Sequence, residues 1–108
     1  KGGPATSDAV LINLHGGGFV FGAGVGEAIE AIPITAVTGM RVFSVDYRMA
    51  PEYRYPAATE DVLTVYRALL EELGASRIGL CGSSAGALLA AQSVSALLDT
   101  DLPRPGAL

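Results

Sequence analysis

The sequence predicts an α/β protein: a parallel β-sheet with helices on both faces, forming a three-layer α/β/α arrangement. Three short apolar runs with strand composition alternate with three helical segments along the 108 residues, giving a β-α-β-α-β-α unit. Parallel strands joined by right-handed crossovers satisfy this alternation. The length allows one domain, so residues 1–108 are treated as one unit. We expect the strands to lie in the spatial order second, first, third.

The three predicted strands are short and contain few charged residues. Residues 9–14 form a nearly continuous apolar run, which is typical of a strand buried on both faces of a parallel sheet. Residues 41–45 are rich in β-branched and aromatic side chains, and residues 77–81 form another short apolar segment. Each of these runs is therefore assigned to one strand of the sheet.

Helical segments fill the intervals between and after these strands. Residues 27–37 have a helical composition that ends at a glycine. Between Pro56 and Gly74, apolar residues recur every third or fourth position, which predicts an amphipathic helix. Residues 87–98 are rich in Ala and Leu and apolar nearly all round, so we expect this last helix to be buried.

The composition excludes several classes of protein. Half of the residues are apolar and 17% are charged, which excludes general disorder. The net charge of −4 and the lack of a basic stripe argue against a nucleic-acid partner. No apolar stretch reaches the roughly 20 residues of a membrane span. No signal peptide is visible, so we expect a cytoplasmic protein. A single cysteine, Cys81, excludes a disulfide framework and a Cys-based zinc site, and we expect it to be a core residue.

The pattern Gly82-x-Ser84-x-Gly86 lies between the third predicted strand and the last predicted helix. A tight turn at this point lifts the Ser84 hydroxyl above the sheet in a strained conformation, and the flanking glycines avoid backbone clashes. The positive end of the following helix then points at the hydroxyl. This arrangement is typical of a nucleophilic serine, and the alternative is that Ser84 is an ordinary helix N-cap.

A second motif, His15-Gly16-Gly17-Gly18, follows the first predicted strand. Successive glycines allow backbone N–H groups to point into one cavity, as an oxyanion hole requires. This HGGG motif accompanies G-x-S-x-G in lipases and esterases, whereas the alternative is a simple tight turn. Because parallel strands have their carboxyl ends at one edge of the sheet, we expect the two motifs to lie together.

With the segment 46–52 (DYRMAPE), these motifs make the sequence resemble the hormone-sensitive-lipase-like carboxylesterases (bacterial family IV) of the α/β-hydrolase superfamily. The resemblance runs from residue 15 to residue 86 and implies an α/β-hydrolase fold. It also implies that the substrate is a small-molecule ester with a short to medium acyl chain. No metal or organic cofactor is implied, and the glycines at positions 22–26 miss the dinucleotide-binding pattern by one position.

The resemblance also assigns roles to individual residues. Ser84 is implied to be the nucleophile, and the oxyanion hole is implied to consist of the N–H groups of Gly17, Gly18 and Ala85. His15 and Gly16 are implied to support the glycine loop, so that His15 is not the catalytic base. Candidates for the acyl or alcohol pocket are Phe19, Phe21 and either Tyr53 or Tyr55.

Two positions depart from the family pattern, one directly before Ser84 and one directly after Gly86. Ser83 stands where the family usually has Asp, and Ala87 stands where a further Gly is common. In the crossover, we expect Arg48, Glu52 and Asp61 to pair or cap structurally.

A serine nucleophile needs a base and an orienting carboxylate, which in this superfamily follow the serine in the chain. After Ser84 the sequence contains Asp99 and Asp101 but no histidine, since the single histidine is His15. We therefore expect the nucleophile-bearing, N-terminal part of an esterase catalytic domain whose triad is incomplete within these residues. The alternative is a non-catalytic ligand-binding relative, a receptor or a pseudoenzyme. The two outer strands are expected to have open edges, through which the chain could self-associate.

Overall fold

The computed structural model describes residues 9–17 and 25–108, with the side chains of 25–30 excepted. Its elements follow the predicted alternation of strands and helices. In chain order they are β1 (Val10–Leu14), α1 (Val25–Thr38), β2 (Arg41–Ser44), α2 (Ala57–Leu70), a 3₁₀ turn (Ala75–Arg77), β3 (Ile78–Gly82) and α3 (Ala85–Leu97).

The three strands form one parallel sheet in the order β2-β1-β3, as predicted. Strand β1 is central, and its residue Ile12 lies opposite Phe43 on β2 and Leu80 on β3. Helix α1 packs against β1 and β2, whereas α3 packs against β1 and β3 and also against α2. The three-layer α/β/α prediction is therefore confirmed.

The core lies between the sheet and the pair α2 and α3. Every second residue of β1 points into it, because side chains alternate between the two faces of a strand. The buried apolar residues of this core are Val10, Ile12, Leu14, Val45, Tyr47, Val62, Leu63, Tyr66, Leu69, Ile78, Leu80, Leu89, Ala90 and Leu97. Because the strands are parallel, the carboxyl ends of all three lie at the same edge of the sheet, next to this core.

Each element differs from its predicted bounds by at least one residue, and the shifts at the end of α2 and the start of β3 have an identifiable cause. Helix α2 ends at Leu70 rather than just before Gly74, because the N–H of Glu72 donates to the Leu69 carbonyl, three residues back, and so departs from the i−4 bonds of an α-helix. Leu73 continues the apolar pattern because it packs against the core from this turn. Strand β3 begins at Ile78, since the preceding residues form the 3₁₀ turn. A hydrophobic pattern cannot separate a helix from a turn that buries the same face.

The prediction that the last helix is buried all round is wrong. Leu89 and Leu97 of α3 are 0% and 2% exposed, but Leu88 on the opposite face is 54% exposed. Only one side of α3 faces the sheet and α2. Small alanine side chains on both sides of the helix conceal this amphipathicity in the sequence.

The prediction of two open sheet edges is wrong for β3. The N–H of Leu80 donates to the Ala107 carbonyl at 3.1 Å, and the N–H of Gly106 donates to the Ile78 carbonyl at 2.9 Å. Ala107 thereby forms an isolated parallel bridge with Gly79. Residues after α3 thus return to cover part of the β3 edge. Within the described ranges, no helix has the length and apolar character that crossing a membrane requires.

Candidate active site

The backbone at Ser84 has an unusual conformation. Its φ of 53° and ψ of −120° make it the one described non-glycine residue with a positive φ. These angles are those of the second residue of a type II′ turn, a position at which glycine dominates. The N–H of Gly86 donates to the Ser83 carbonyl at 2.9 Å and closes this turn. A serine is therefore held in a strained conformation between β3 and α3.

The hydroxyl of Ser84 does not cap the helix that it precedes. Helix α3 begins directly after Ser84, yet the Ser84 side chain makes no capping hydrogen bond. The Ser84 backbone carbonyl instead accepts the N–H groups of Ala87 and Leu88, at 3.0 and 3.2 Å. The residue is exposed. Ser84 thus occupies the N-cap position, but the interpretation that it is an ordinary cap, acting through its side chain, is wrong. The residue lies at a helix N-terminus, whose first N–H groups lack intrahelical acceptors.

The turn from Gly82 to Gly86 that carries Ser84 is called the elbow, and close backbone contacts require its two outer glycines. A Cβ atom on Gly86 would overlap the carbonyl oxygen of Leu14 at the end of β1, and one on Gly82 would overlap the backbone of Gly86. Neither neighbour is a flexible side chain that could move aside. The start of α3 is consequently packed directly onto the end of the central strand.

The glycine loop after β1 lies directly against the elbow. A Cβ atom on Gly16 would lie 3.0 Å from the Ser83 carbonyl oxygen and 3.5 Å from the Cβ of Ser84. The expectation that the two motifs lie together is thus confirmed for Gly16. Gly17, with a φ of 124°, adopts a backbone conformation that side-chain-bearing residues rarely reach. Gly18, Phe19 and Phe21 lie outside the described residues.

His15 is fully buried at the base of the loop. Its Nδ1 lies 2.8 Å from the Gly16 carbonyl oxygen. Because a carbonyl can only accept, Nδ1 must carry the proton in this contact. The imidazole stacks on the ring of Tyr47, with 4.3 Å between ring centroids and an 11° interplanar angle. The Tyr47 hydroxyl donates to the His15 carbonyl at 2.6 Å. These contacts hold the buried His15 ring between the Gly16 carbonyl and the ring of Tyr47.

The crossover after β2 is fixed by Arg48. Its backbone N–H and its Nε both donate to the Asp61 carboxylate, at 2.7 and 3.1 Å, and its guanidinium also lies 3.4 Å from Glu60. The hydrogen bond to Asp61 raises the pKa of the Arg48 guanidinium. The predicted pairing of Arg48 with Asp61 is confirmed. Glu52 is exposed and takes no part in this network of described residues.

The two candidate tyrosines line one cavity beside α3. Tyr53 and Tyr55 line a cavity of about 270 Å³ together with Arg48, Thr59 and Gln92. Gln92 is eight residues beyond Ser84 on α3, which corresponds to roughly 12 Å along a helix. Among the described residues, neither Ser84 nor Gly16 or Gly17 lines this cavity. The assignment of either tyrosine to the acyl or alcohol pocket stays a prediction.

Sequence reasoning missed two residues near the site. Tyr47 lies in the DYRMAPE segment and was not singled out, although it contacts both the ring and the backbone of His15. Asn13 is a polar residue within the apolar run of β1, and it is 1% exposed. A buried amide in the middle of a core strand is the signal that could have drawn attention to it. In the part of the chain that the structure describes, no cluster of His, Cys, Asp and Glu could hold a metal ion.

A strained serine between a strand and a helix, in contact with a glycine loop from the neighbouring strand, defines the class of α/β hydrolases. The chain belongs to this family, since the family model described as alpha/beta hydrolase fold matches residues 11–108.

Known proteins of this family resemble the chain closely. The acetyl-hydrolase of Streptomyces hygroscopicus is 38% identical over 106 residues, which cover 96% of this chain and 36% of that protein. Lipase 2 of Moraxella sp. (strain TA144) is 47% identical over 92 residues, covering 81% of this chain and 21% of that protein.

Solved structures extend the similarity to three dimensions. The crystal structure of esterase E25 has a TM-score of 0.86 at 43% identity and matches 92% of this chain and 30% of its own. An esterase from the bacterial hormone-sensitive lipase family has a TM-score of 0.87 at 39% identity, with 94% and 34% covered. The resemblance to hormone-sensitive-lipase-like proteins is confirmed. The chain spans only 21% to 36% of the length of these four proteins.

Proposed function

We propose that residues 1–108 form the nucleophile-bearing part of a serine carboxylesterase catalytic domain and that Ser84 is the nucleophile. The conformation of Ser84 carries this proposal. A serine costs free energy at a turn position that favours glycine, and such strain persists chiefly where it serves a site. The exposed hydroxyl without a capping bond, at the start of α3, agrees with this role.

In the proposed reaction, the Ser84 Oγ attacks the carbonyl carbon of an ester and the carbonyl oxygen becomes an oxyanion. The N–H groups of Gly17, Gly18 and Ala85 donate to this oxyanion. Collapse of the tetrahedral intermediate expels the alcohol and leaves an acyl group on Ser84, which water then hydrolyses. The contact of Gly16 with the elbow supports this assignment, because it brings the glycine loop to the reacting atom.

The base that accepts the Ser84 proton comes, in this proposal, from residues beyond these 108. His15 is buried, and its Nδ1 is committed to the Gly16 carbonyl. Its Nε2, the nitrogen left to accept a proton, is also buried and makes no hydrogen bond in the described part of the chain. In this proposal His15 therefore holds the loop and does not take protons from the exposed Ser84. The names of similar proteins, an acetyl-hydrolase and an ethyl acetate hydrolase from Pseudomonas putida, favour short acyl groups within the short to medium range.

A chimera tests the function directly. Residues of this chain replace the matched region of the Streptomyces hygroscopicus acetyl-hydrolase, which supplies the remaining length. We expect the chimera to hydrolyse 4-nitrophenyl acetate and to react with a fluorophosphonate probe. Ser84→Ala should lower kcat by at least about 10³-fold and abolish labelling. Ser95→Ala, at an exposed position on α3, is the matched control and should leave both unchanged.

Two outcomes contradict the proposal. Labelling that survives Ser84→Ala shows that another residue is the nucleophile. A folded chimera that neither hydrolyses esters nor reacts with the probe favours the non-catalytic alternative. For the 108-residue chain alone, we expect turnover no faster than that of its Ser84→Ala variant, because the base is lacking.

A further inference from the structure

A row of polar side chains crosses the sheet one residue below the carboxyl end of β1. Asn13 on the central strand is paired in register with Ser44 on β2 and with Cys81 on β3. Register partners in parallel strands project from the same face. By alternation, this is the face opposite to Ile12 and Leu14, on the side of α1. The polar row therefore lies outside the main apolar core.

The hydrogen bonding within this row is incomplete. The Cys81 Sγ donates to the Asn13 Oδ1 at 3.5 Å. The Asn13 Nδ2 and the Ser44 Oγ are both buried and have no hydrogen-bond partner within the described part of the chain. Leaving a buried donor unpaired costs its full desolvation penalty, and nearly all buried polar groups in proteins have a partner. Because the two atoms belong to register partners on adjacent strands, one small molecule between the strands can hydrogen-bond with both.

We propose that the polar row is a binding site for one ordered water molecule, which accepts a hydrogen bond from Asn13 Nδ2 and donates one to Ser44 Oγ. Adjacent strands lie about 4.8 Å apart, which suits a bridge by a single small molecule between register partners. A buried water needs two to four polar partners, and the row provides them. The two facing groups are neutral, a donor and a hydroxyl, so their chemistry matches water rather than an ion.

The position of the row gives the water a function at the proposed site, and this step rests on the proposed function. Each strand of the row leads directly into one part of that site. Strand β1 leads to His15 and the glycine loop, β3 leads to the Ser84 elbow, and β2 leads to Tyr47, which stacks on His15. A bridge between Asn13 and Ser44 fixes the exits of β1 and β2 relative to each other. Asn13 is thus a positioning residue for the oxyanion loop.

A double-mutant cycle tests the bridge in the chain itself. Asn13→Leu and Ser44→Ala should each raise the unfolding equilibrium constant about tenfold in urea titrations, because each leaves the other group and the water poorly paired. The double variant should raise it by clearly less than the product of the two, since neither of the two groups that the water bridges then remains. Ser93→Ala is the matched control, because the buried Ser93 hydroxyl donates to Leu89 within α3. Its effect should multiply with that of Asn13→Leu. A simple product for Asn13→Leu and Ser44→Ala as well would overturn the bridge.

A measurement on the unsubstituted chain keeps the test decisive if Asn13→Leu fails to fold. Water–protein nuclear Overhauser spectra should show a long-lived water next to the Asn13 side-chain amide. The signal should persist in Ser44→Thr, which keeps the hydroxyl, and disappear in Ser44→Ala. No long-lived water at this amide in the unsubstituted chain would overturn the proposal.

Kinetics in the chimera test the positioning role separately. We expect Asn13→Leu to lower kcat about tenfold with KM unchanged, because oxyanion donors act mainly in the transition state. Ser44→Thr should retain the kcat of the unsubstituted chimera. If the chimera is active and Asn13→Leu leaves kcat unchanged, the positioning role is wrong while the proposed function stands. If the unsubstituted chimera is folded and inactive, the proposed function fails, and the positioning role fails with it. The water site is then decided by the double-mutant cycle and the Overhauser spectra alone.

Discussion

At Ser84, one backbone conformation links the fold to the proposed chemistry. The turn between β3 and α3 places this residue at a φ of 53°, where an L side chain is strained and glycine is not. The stability of the fold would gain from glycine at this position, whereas nucleophilic attack needs a hydroxyl. The two requirements conflict, and their conflict can be measured.

Ser84→Gly should therefore stabilise the chain relative to Ser84→Ala. Relief of the strain offsets the greater entropy of glycine in the unfolded state and leaves a net gain of about 1 kcal/mol. Urea unfolding of both variants gives the comparison, and Ala serves as control because it lacks the hydroxyl but keeps the Cβ. Equal stabilities would show that the positive φ is not strained.

Gly86→Ala should have the opposite effect, and a large one. The added Cβ would overlap the Leu14 carbonyl, which belongs to the central strand and cannot move without breaking the sheet. We expect a loss of at least about 3 kcal/mol in the free energy of unfolding. Gly74→Ala is the matched control, since a Cβ there meets its nearest neighbour at 4.0 Å and its φ of −70° suits alanine. A loss below 1 kcal/mol for Gly86→Ala, on the scale of ordinary surface changes, would mean that the elbow and β1 are not packed as described.

At the scale of elements, α2 is tied to the segment that returns after α3. Tyr66 on α2 is 1% exposed, and its hydroxyl donates to the Pro103 carbonyl at 2.6 Å. This bond holds the segment that goes on to pair with β3. Burial raises the pKa of Tyr66 above its ordinary value of 10.0. We therefore expect the burial of Tyr66 to make stability depend on pH in the alkaline range.

The sign of that dependence follows from the raised pKa. Below about pH 10 both states keep the Tyr66 proton. Above it the unfolded chain loses the proton first, so stability falls as pH rises toward and through the raised pKa of the folded state. Tyr66→Phe should be about 1 kcal/mol less stable at neutral pH, through the lost hydrogen bond, but should lose less on going to alkaline pH. Urea unfolding near pH 8 and near pH 10.5 measures both effects.

Tyr55→Phe, whose side chain is largely exposed, is the control and should behave as the unsubstituted chain at both values. An alkaline loss for Tyr66→Phe equal to that of the unsubstituted chain contradicts the assignment.

The sequence predicted the elements and their order because periodicity and glycine placement are local signals. The candidate nucleophile Ser84 and the loop residue Gly16 were identified from their glycine motifs. The structure bears out the predicted strand order and the contact of Gly16 with the elbow. The stacking of Tyr47 on His15 and the pairing of Asn13 with Ser44 depend on strand register, which the local pattern does not contain. The exposed face of α3 was hidden for a different reason, since alanine gives little contrast between faces. Apart from the exposed face of α3, the missed features are therefore those that only long-range contacts determine.

For the whole molecule, the two edges of the sheet differ in how much of their backbone is already paired. Strand β2 pairs only with β1 among the described residues, and Phe43 on it is 39% exposed. At the opposite edge, Ala107 occupies part of β3. Unpaired backbone groups on an edge strand are a template for another strand, so we expect the return segment to hinder self-association at that edge.

Deleting residues 103–108 should therefore increase self-association. The deletion removes the Ala107 carbonyl that accepts the Leu80 N–H, and it removes the Pro103 carbonyl that accepts the Tyr66 hydroxyl. Sedimentation velocity over a range of concentrations should show that the shortened chain shifts further toward dimers or higher species than the full chain does.

Deleting Leu108 alone is the matched control, because this residue is exposed and lies beyond the bridge at Ala107. Tyr66→Phe separates the two losses: it removes the anchor but keeps the strand pairing, so it should associate less than the deletion. If the deleted and full chains sediment alike at every concentration, the β3 edge does not govern association, and the β2 edge or the exposed face of α3 becomes the surface to test.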